Sequence, residues 1–102
     1  TIQKRIATAT EEEIPSSFAL TSVYPNPFNP STQISFSVPV TSPVRLEVFD
    51  LNGRVVATPF NQTVSAGSYT VSFQAHGLAS GMYFVRMMAQ DKVFSKQMVL
   101  MK

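Results

Sequence analysis

Turn-forming residues divide this chain into short segments from Phe18 onward. Clusters of Gly, Pro, Asn and Ser recur about every 8–12 residues, and the runs between them are rich in β-branched and aromatic residues. This punctuation is typical of an all-β chain. We therefore predict about seven short antiparallel strands in residues 18–102, and no helix.

Alternation of apolar and polar side chains locates two of these strands. In residues 33–38 and again in residues 44–49 every second residue is apolar, which predicts strands with one buried face. Asn52 and Gly53 follow the second strand, and this pair favours a type I′ turn because both central residues of that turn need a positive φ. We therefore expect the second strand to continue into an antiparallel hairpin with residues 54–57.

Three prolines, Pro25, Pro27 and Pro30, fall between two predicted strands. Each removes a backbone donor and fixes φ, so this segment cannot lie inside a sheet. We expect it to follow an edge of the fold, with the rings of Tyr24 and Phe28 closing one end of the core.

The last two segments are strongly apolar. Gly81–Ala89 is apolar on both faces, as in a central strand that is covered on both sides or faces a partner. Residues 92–101 form the last predicted strand, where Lys96 interrupts the alternation and indicates an edge position or a bulge. About seven strands of this kind suit an immunoglobulin-like antiparallel β-sandwich.

The chain is poor in groups that perform chemistry. It has no cysteine and one histidine, His76, which excludes a disulfide scaffold, a thiolate zinc site and a multi-histidine metal site. We expect His76 in a solvated loop, Glu47 pointing to solvent, and Asp50 and Asp91 capping turns. We therefore predict that the protein is not an enzyme and binds no metal or cofactor.

Charge and hydropathy argue against two further classes of partner. The eight Lys and Arg residues are spread along the chain, so no basic block exists to follow a nucleic-acid backbone. No apolar run approaches the ~18 residues that a membrane-spanning helix needs. We therefore predict no nucleic-acid partner and no transmembrane segment.

The start of the sequence differs from the rest. Residues 1–17 lack aromatics and carry an acidic run before Pro15, which predicts a linker or flexible N-terminal segment ahead of the domain in residues 18–102. Because the sequence starts at Thr1 rather than Met, we expect it to be a piece of a longer protein.

Two non-catalytic functions are compatible with the residues alone. The first is a polysaccharide-binding accessory module of a secreted hydrolase, in which Phe49 or Phe84 would offer an exposed ring to a sugar. The second is a structural immunoglobulin-like assembly domain. All five methionines lie in residues 82–101, and methionine makes adaptable contact surfaces through which such a domain could associate.

Four blocks of the sequence carry a resemblance to a known family. They are residues 24–32 (YPNPFNPST), 51–56 (LNGRVV), 78–84 (LASGMYF) and 96–102 (KQMVLMK). The chain resembles the type A C-terminal sorting domain of cargo proteins of the type IX secretion system, whose pattern is P-x-P, then G-x-Y, then a lysine-led apolar tail. The first block is also similar to the immunoglobulin-like domain of flagellar hook-capping proteins. On the sorting-domain resemblance the sorting-motif residues are Pro25, Asn26, Pro27, Phe28, Gly81, Tyr83, Lys96, Met98, Val99 and Leu100.

The resemblance implies a bacterial sandwich domain at the end of a larger secreted protein, with no catalytic role. Its partners would be the covalently linked cargo domain upstream and the outer-membrane translocon with its sorting and cleavage machinery. The cargo would be released into the medium or attached to the cell surface after cleavage within the linker. The last strand pair would be the recognition surface. There Gly81 would allow a close backbone approach or an unusual φ, and the Tyr83 hydroxyl would bond to a neighbouring loop, as corner tyrosines do.

Overall fold

The structure, a computed structural model, describes residues 15–102. Within this range the chain forms seven β-strands and no helix. The strands are β1 (Ala19–Tyr24), β2 (Ser31–Val38), β3 (Ser42–Phe49), β4 (Val55–Val64), β5 (Gly67–Gln74), β6 (Gly81–Ala89) and β7 (Lys92–Leu100). Of the predicted linker in residues 1–17, residues 1–14 lie outside the described part.

The strands form two antiparallel sheets, ordered β1-β2-β5 and β4-β3-β6-β7. This arrangement confirms the predicted immunoglobulin-like β-sandwich. The alternating residues of β2 and β3 face each other between the sheets, as predicted. Burial of each such side chain contributes about 1.5–3 kcal/mol to folding. The side chains exposed to 1% or less are Ile34, Phe36, Val38, Val44, Leu46, Val48, Ala75, Val85, Met87, Ala89, Met98 and Leu100.

The hairpin between β3 and β4 is confirmed, but the predicted type I′ turn is wrong. Gly53 has a φ of +83°, whereas Asn52 does not have a positive φ. The N–H of Gly53 donates to the carbonyl of Asp50 (3.0 Å), and the N–H of Asp50 donates to the carbonyl of Arg54 (3.0 Å). This is a type I turn followed by a left-handed glycine. The Asp50 carboxylate favours it by accepting from the N–H groups of Asn52 and Arg54 at 2.9 and 3.1 Å.

Strand β4 is longer than the predicted residues 54–57, since it continues through Pro59 to Val64. It lies at the edge of its sheet, where a proline costs no ladder hydrogen bond if its nitrogen faces outward. Its pairing with β3 shifts register at two places, between Leu46 and Val48 and between Val48 and Phe49. Because these register shifts break the alternation of buried and exposed residues, the sequence pattern does not show the full length of β4.

Strands β6 and β7 occupy the positions that their sequences indicate. β6 is central and β7 is the edge strand, which confirms the edge interpretation of Lys96. The alternative of a bulge is wrong, because the register runs unbroken from Gly81↔Leu100 to Ala89↔Lys92. No layer formed by residues 15–102 covers the outer face of β6, on which Met82 is 37% exposed.

Tyr24 and Phe28 have different environments. Phe28 is 3% exposed and meets the ring of Phe73 edge-on at 6.2 Å between centroids, so it closes one end of the core as expected. Tyr24 is 77% exposed, and the expectation for its ring is wrong. Val23 pairs with the buried Ile34, so the next residue along β1 faces outward.

Candidate functional site

Three sequence blocks that lie far apart in the chain meet along β7. Residues 25–28 contact the end of β7, where Phe28 forms a parallel bridge with Leu100. Residues 81–83 pair with the same end through β6, since Gly81 lies opposite Leu100 and Tyr83 opposite Met98. We call residues 25–28, 81–83 and 96–100 together the C-terminal edge. It contains all ten predicted sorting-motif residues.

The side-chain amide of Asn26 binds β7 as a neighbouring strand would. Its Nδ2 donates to the carbonyl of Gln97 (2.8 Å), and its Oδ1 accepts from the N–H of Val99 (3.0 Å). Phe28 continues the contact with its backbone: its N–H donates to the carbonyl of Val99 (2.9 Å), and its carbonyl accepts from the N–H of Met101 (3.0 Å). Four hydrogen bonds therefore cover the edge of β7 between residues 97 and 101.

The prolines and the aromatic ring of this loop explain why it can make that contact. Pro25 and Pro27 flank Asn26, have no N–H to satisfy and fix φ on both sides of it. The carbonyl of Pro25 accepts from the hydroxyl of Thr32 at 2.7 Å, and Thr32 is buried. Phe28 anchors the other end of the loop in the core. The loop is therefore held at both ends while Asn26 binds β7.

Gly81 and Tyr83 fix the loop that precedes β6. Gly81 has a φ of +151°, which L side chains rarely adopt, and an added Cβ would meet nothing within 4 Å. The predicted unusual φ is therefore correct, and the alternative of a close backbone approach is wrong. The Tyr83 hydroxyl donates to the carbonyl of Ala79 at 2.6 Å, as expected of a corner tyrosine. The N–H of Lys102 donates to Oγ of Ser80 at 3.1 Å, so the chain after β7 also holds this loop.

The residues of the lysine-led tail divide into buried and accessible ones. Met98 and Leu100 are 0% and 1% exposed and belong to the core. Val99 is half-buried on the outer face of the sheet, and Lys96 is exposed. Lys96 lines a groove of about 320 Å³ between β1 and β7, together with Thr21, Ser22, Val23, Asn26 and Gln97. A partner can therefore reach only some of the predicted residues directly, and the sorting role of each stays a prediction.

Four further residues in or next to this edge lie within the sequence blocks that carry the resemblance but are not among the predicted sorting-motif residues. Thr32, Ser80, Gln97 and Met101 all hydrogen-bond within it. Of these, Gln97 and Met101 act through backbone groups alone, so their side chains give no signal. Thr32 follows the P-x-P motif, Ser80 precedes the G-x-Y motif, and each carries a hydroxyl that can form a hydrogen bond. These two features are the signal by which the sequence could have identified them.

Of the two rings that the sugar-binding hypothesis needs, Phe49 is already covered by a cation. Phe49 and Phe84 are half-buried and lie opposite each other in neighbouring strands. The guanidinium carbon of Arg86 lies 4.2 Å from the centroid of the Phe49 ring, so a cation already covers that ring. This contact disfavours Phe49 as a platform for a sugar.

Two acidic side chains, Glu47 and Asp50, are engaged with arginines or with a turn. Glu47 ion-pairs with Arg45 (3.5 Å) and Arg86 (3.6 Å), and its side chain is 15% exposed. Glu47 lies on the outer face of β3, as expected, but ion pairs with two arginines leave its carboxylate only partly accessible to solvent. Asp50 caps its turn as predicted. The hydrogen bond from the Arg54 backbone is the largest factor that holds the pKa of Asp50 below its ordinary value of 3.8.

The described part of the chain offers neither a metal site nor a membrane-spanning helix. Among residues 15–102, no three His, Asp or Glu side chains cluster so that they could hold a metal ion. Over the same residues, no helix is long and apolar enough to cross a membrane. His76 is exposed in a loop, as predicted.

Comparison with known proteins identifies the family. The model of the family described as the secretion system C-terminal sorting domain matches residues 22–101, a range that includes the whole C-terminal edge. Searches of the curated proteins and of the solved structures return no match. The family match favours a sorting signal over a polysaccharide-binding module or a structural assembly domain. The chain therefore belongs to the secretion system C-terminal sorting domains, which mark type IX secretion cargo for export across the outer membrane to the cell surface or the medium.

Proposed function

We propose that the C-terminal edge is the surface by which the type IX outer-membrane translocon recognises this domain. One observation carries the proposal: three blocks from distant parts of the chain meet at β7, and the buried members hold the accessible ones in place. Pro25, Pro27 and Lys96 are exposed at this edge. A partner that binds there meets a preorganised surface, which lowers the entropy cost of recognition.

In this proposal the domain is an address for an upstream cargo domain and performs no reaction itself. Residues 1–17 form the linker within which the sorting machinery cleaves. The ion pairs of Glu47 with Arg45 and Arg86, and of Asp50 with Arg54, support a non-catalytic role. A general acid or base must reach the proton that it transfers, and these carboxylates are already bound to neighbouring groups.

The proposal is tested by fusing the full 102-residue chain behind a fluorescent passenger that carries a periplasmic export signal. The host is a bacterium with a type IX secretion system. The wild-type fusion is expected in the medium or on the cell surface. Met82→Glu places a charge on the accessible face of the C-terminal edge, opposite Val99, and should leave the passenger in the periplasm.

Ser72→Glu is the matched control, because it places the same charge on an exposed position of β5 in the other sheet. Circular dichroism and a urea melt of each purified variant establish that both remain folded. Export that is equal for folded Met82→Glu and Ser72→Glu, whether normal or lost in both, would refute recognition through this edge. Periplasmic retention of the folded wild-type fusion would refute the sorting role itself.

A further inference from the structure

The outward edge of β7 has two unlike halves. The backbone groups of Gln97, Val99 and Met101 that bond to Asn26 and Phe28 point away from β6. Because backbone direction alternates along a strand, the N–H and C=O groups of Val93 and Ser95 point the same way. Among residues 15–102 no group pairs with them, and β7 is the last strand of its sheet. The edge of β7 is therefore covered from the carbonyl of Gln97 to the N–H of Met101. It is open from Val93 to the N–H of Gln97, and we call this part the open half.

The other edge strands offer a poorer template for a further strand. β4 is interrupted by two register shifts and contains Pro59. β1 has a register shift between Leu20 and Ser22. β5 has an unbroken register but carries no charged residue. β7 combines an unbroken register with two lysines, Lys92 and Lys96, and has no acidic residue.

We propose that the open half of β7, from Val93 to the N–H of Gln97, accepts an extended segment of the translocon as an additional strand. The inference rests on the proposed sorting role, and it extends the recognition surface from the C-terminal edge, at Lys96 and Gln97, to the first half of β7. Strand addition gives affinity through backbone hydrogen bonds, and side chains beside the new strand give selectivity. Lys92 and Lys96 flank the site, and the groove beside Lys96 is lined otherwise by uncharged residues. The segment is therefore acidic, since carboxylates would meet two ammonium groups and no opposing charge on β7.

The length of the open half is set by the loop that contains Asn26. This loop already occupies the positions that a longer added strand would need beyond Gln97. The incoming segment therefore ends where the Asn26 amide begins. In this arrangement the P-x-P block fixes the register of the partner as well as stabilising the end of β7.

The decisive variant is Ser95→Pro in the passenger fusion. Proline removes the outward N–H of residue 95 but no hydrogen bond to β6, so the domain should stay folded. Ser95→Ala is the matched control, because it removes the side chain and keeps the N–H. We expect Ser95→Ala to be exported like the wild type. Ser95→Pro should be exported about tenfold less, because an acceptor of the added strand is left unpaired.

Three further variants provide a second proline substitution, in case the first does not fold, and a test of the charge. If Ser95→Pro fails to fold, Val93→Pro removes the next outward N–H and carries the same expectation. Lys92→Glu/Lys96→Glu should lower export of a folded fusion more than Lys92→Gln/Lys96→Gln does. Normal export of a folded outward proline variant, with the wild type exported, would overturn strand addition while leaving the sorting role intact. Equal export of the Glu and Gln variants would overturn an acidic partner.

Hydrogen exchange and sedimentation on the isolated chain test whether another part of the chain or a second copy already occupies the open half of β7. We expect the amides of Val93 and Ser95 to exchange at least about tenfold faster than those of Val99 and Met101, which are hydrogen-bonded. Protection of Val93 and Ser95 in a monomer would overturn the proposal, because another part of this chain would then occupy the edge. A dimer that Ser95→Pro dissociates would also overturn it, in favour of pairing between two copies.

Discussion

The carboxamide of Asn26 takes the place of a neighbouring strand at the end of β7. The sequence indicates that residues around it cannot lie inside a sheet, because prolines stand on both sides. It does not indicate the partners, since Gln97 and Val99 lie 71 and 73 residues away. The local sequence pattern predicts the backbone conformation of a segment well. A contact between residues far apart in the sequence depends in addition on the order of the strands in the two sheets.

Asn26→Leu should lower the free energy of unfolding by about 1–2 kcal/mol. The substitution keeps a side chain of similar size but removes both hydrogen bonds to β7, and net losses of this order are typical of partly solvated hydrogen bonds. Urea denaturation measures the change. Asn29→Leu is the control, because Asn29 is exposed in the same loop, whereas the side-chain hydrogen bonds to β7 come from Asn26. Equal losses in the two variants would contradict the role given to the Asn26 amide.

Tyr83→Phe should cost about 1–2 kcal/mol, because it leaves the carbonyl of Ala79 without the part-buried hydroxyl that now donates to it at 2.6 Å. Tyr69→Phe removes an analogous bond to the carbonyl of Ser65, also 2.6 Å, but at an exposed site where water can replace the hydroxyl. Thermal or urea unfolding of both variants should therefore rank Tyr83→Phe as the more destabilised. The reverse ranking would show that the Tyr83 corner does not hold the loop before β6.

Asp50 should make folding sensitive to acid. Its pKa is lowered in the folded state, so the stabilisation it provides is present above the unfolded-state pKa of about 3.9 and is lost as the pH falls through the folded-state pKa. Asp50→Asn should therefore lower the urea midpoint at neutral pH, and the difference from the wild type should shrink in strong acid. Asp91→Asn removes the same charge from the other hairpin as a control. A difference that is constant with pH would contradict the capping role of the Asp50 carboxylate.

Among the strands, those with strict alternation are the ones that the sequence predicts well. β2 and β3 bury the expected residues because one face of each forms the core. β4 is predicted only in part, since register shifts and Pro59 break its period. The hairpin before it is predicted, whereas its turn type is not, because the Asp50 carboxylate favours a type I turn over the geometry that Asn52 and Gly53 favour on their own.

We expect Lys96 to protect the edge of β7 against pairing with other copies of the chain. It lies on the inward-facing row of an edge strand, where a charge is costly to bury against a second sheet. Lys96→Val should therefore raise self-association of the isolated chain, measured by sedimentation velocity over a concentration series. Gln33→Val adds similar apolar surface to the interior strand β2 and should leave the chain monomeric. A monomeric Lys96→Val would show that the lysine is not needed to keep this edge unpaired.

The sandwich as an assembled unit turns three separate motifs into one surface. The core residues of the tail, Met98 and Leu100, hold β7 in place, and the P-x-P loop covers its end. The sequence predicts the sandwich and the motif residues. It does not predict that Asn26 binds β7, because this requires β1 and β7 to lie side by side in different sheets. The family match supplies the sorting function, and the geometry suggests how the signal is presented.

The most direct test of the account compares two hosts that differ only in a working type IX translocon. The full chain is fused behind a folded fluorescent passenger, and the fraction of passenger outside the outer membrane is measured in each host. We expect passenger in the medium or on the surface of the first host and in the periplasm of the second. The same distribution in both hosts, with the domain shown to be folded, would contradict it.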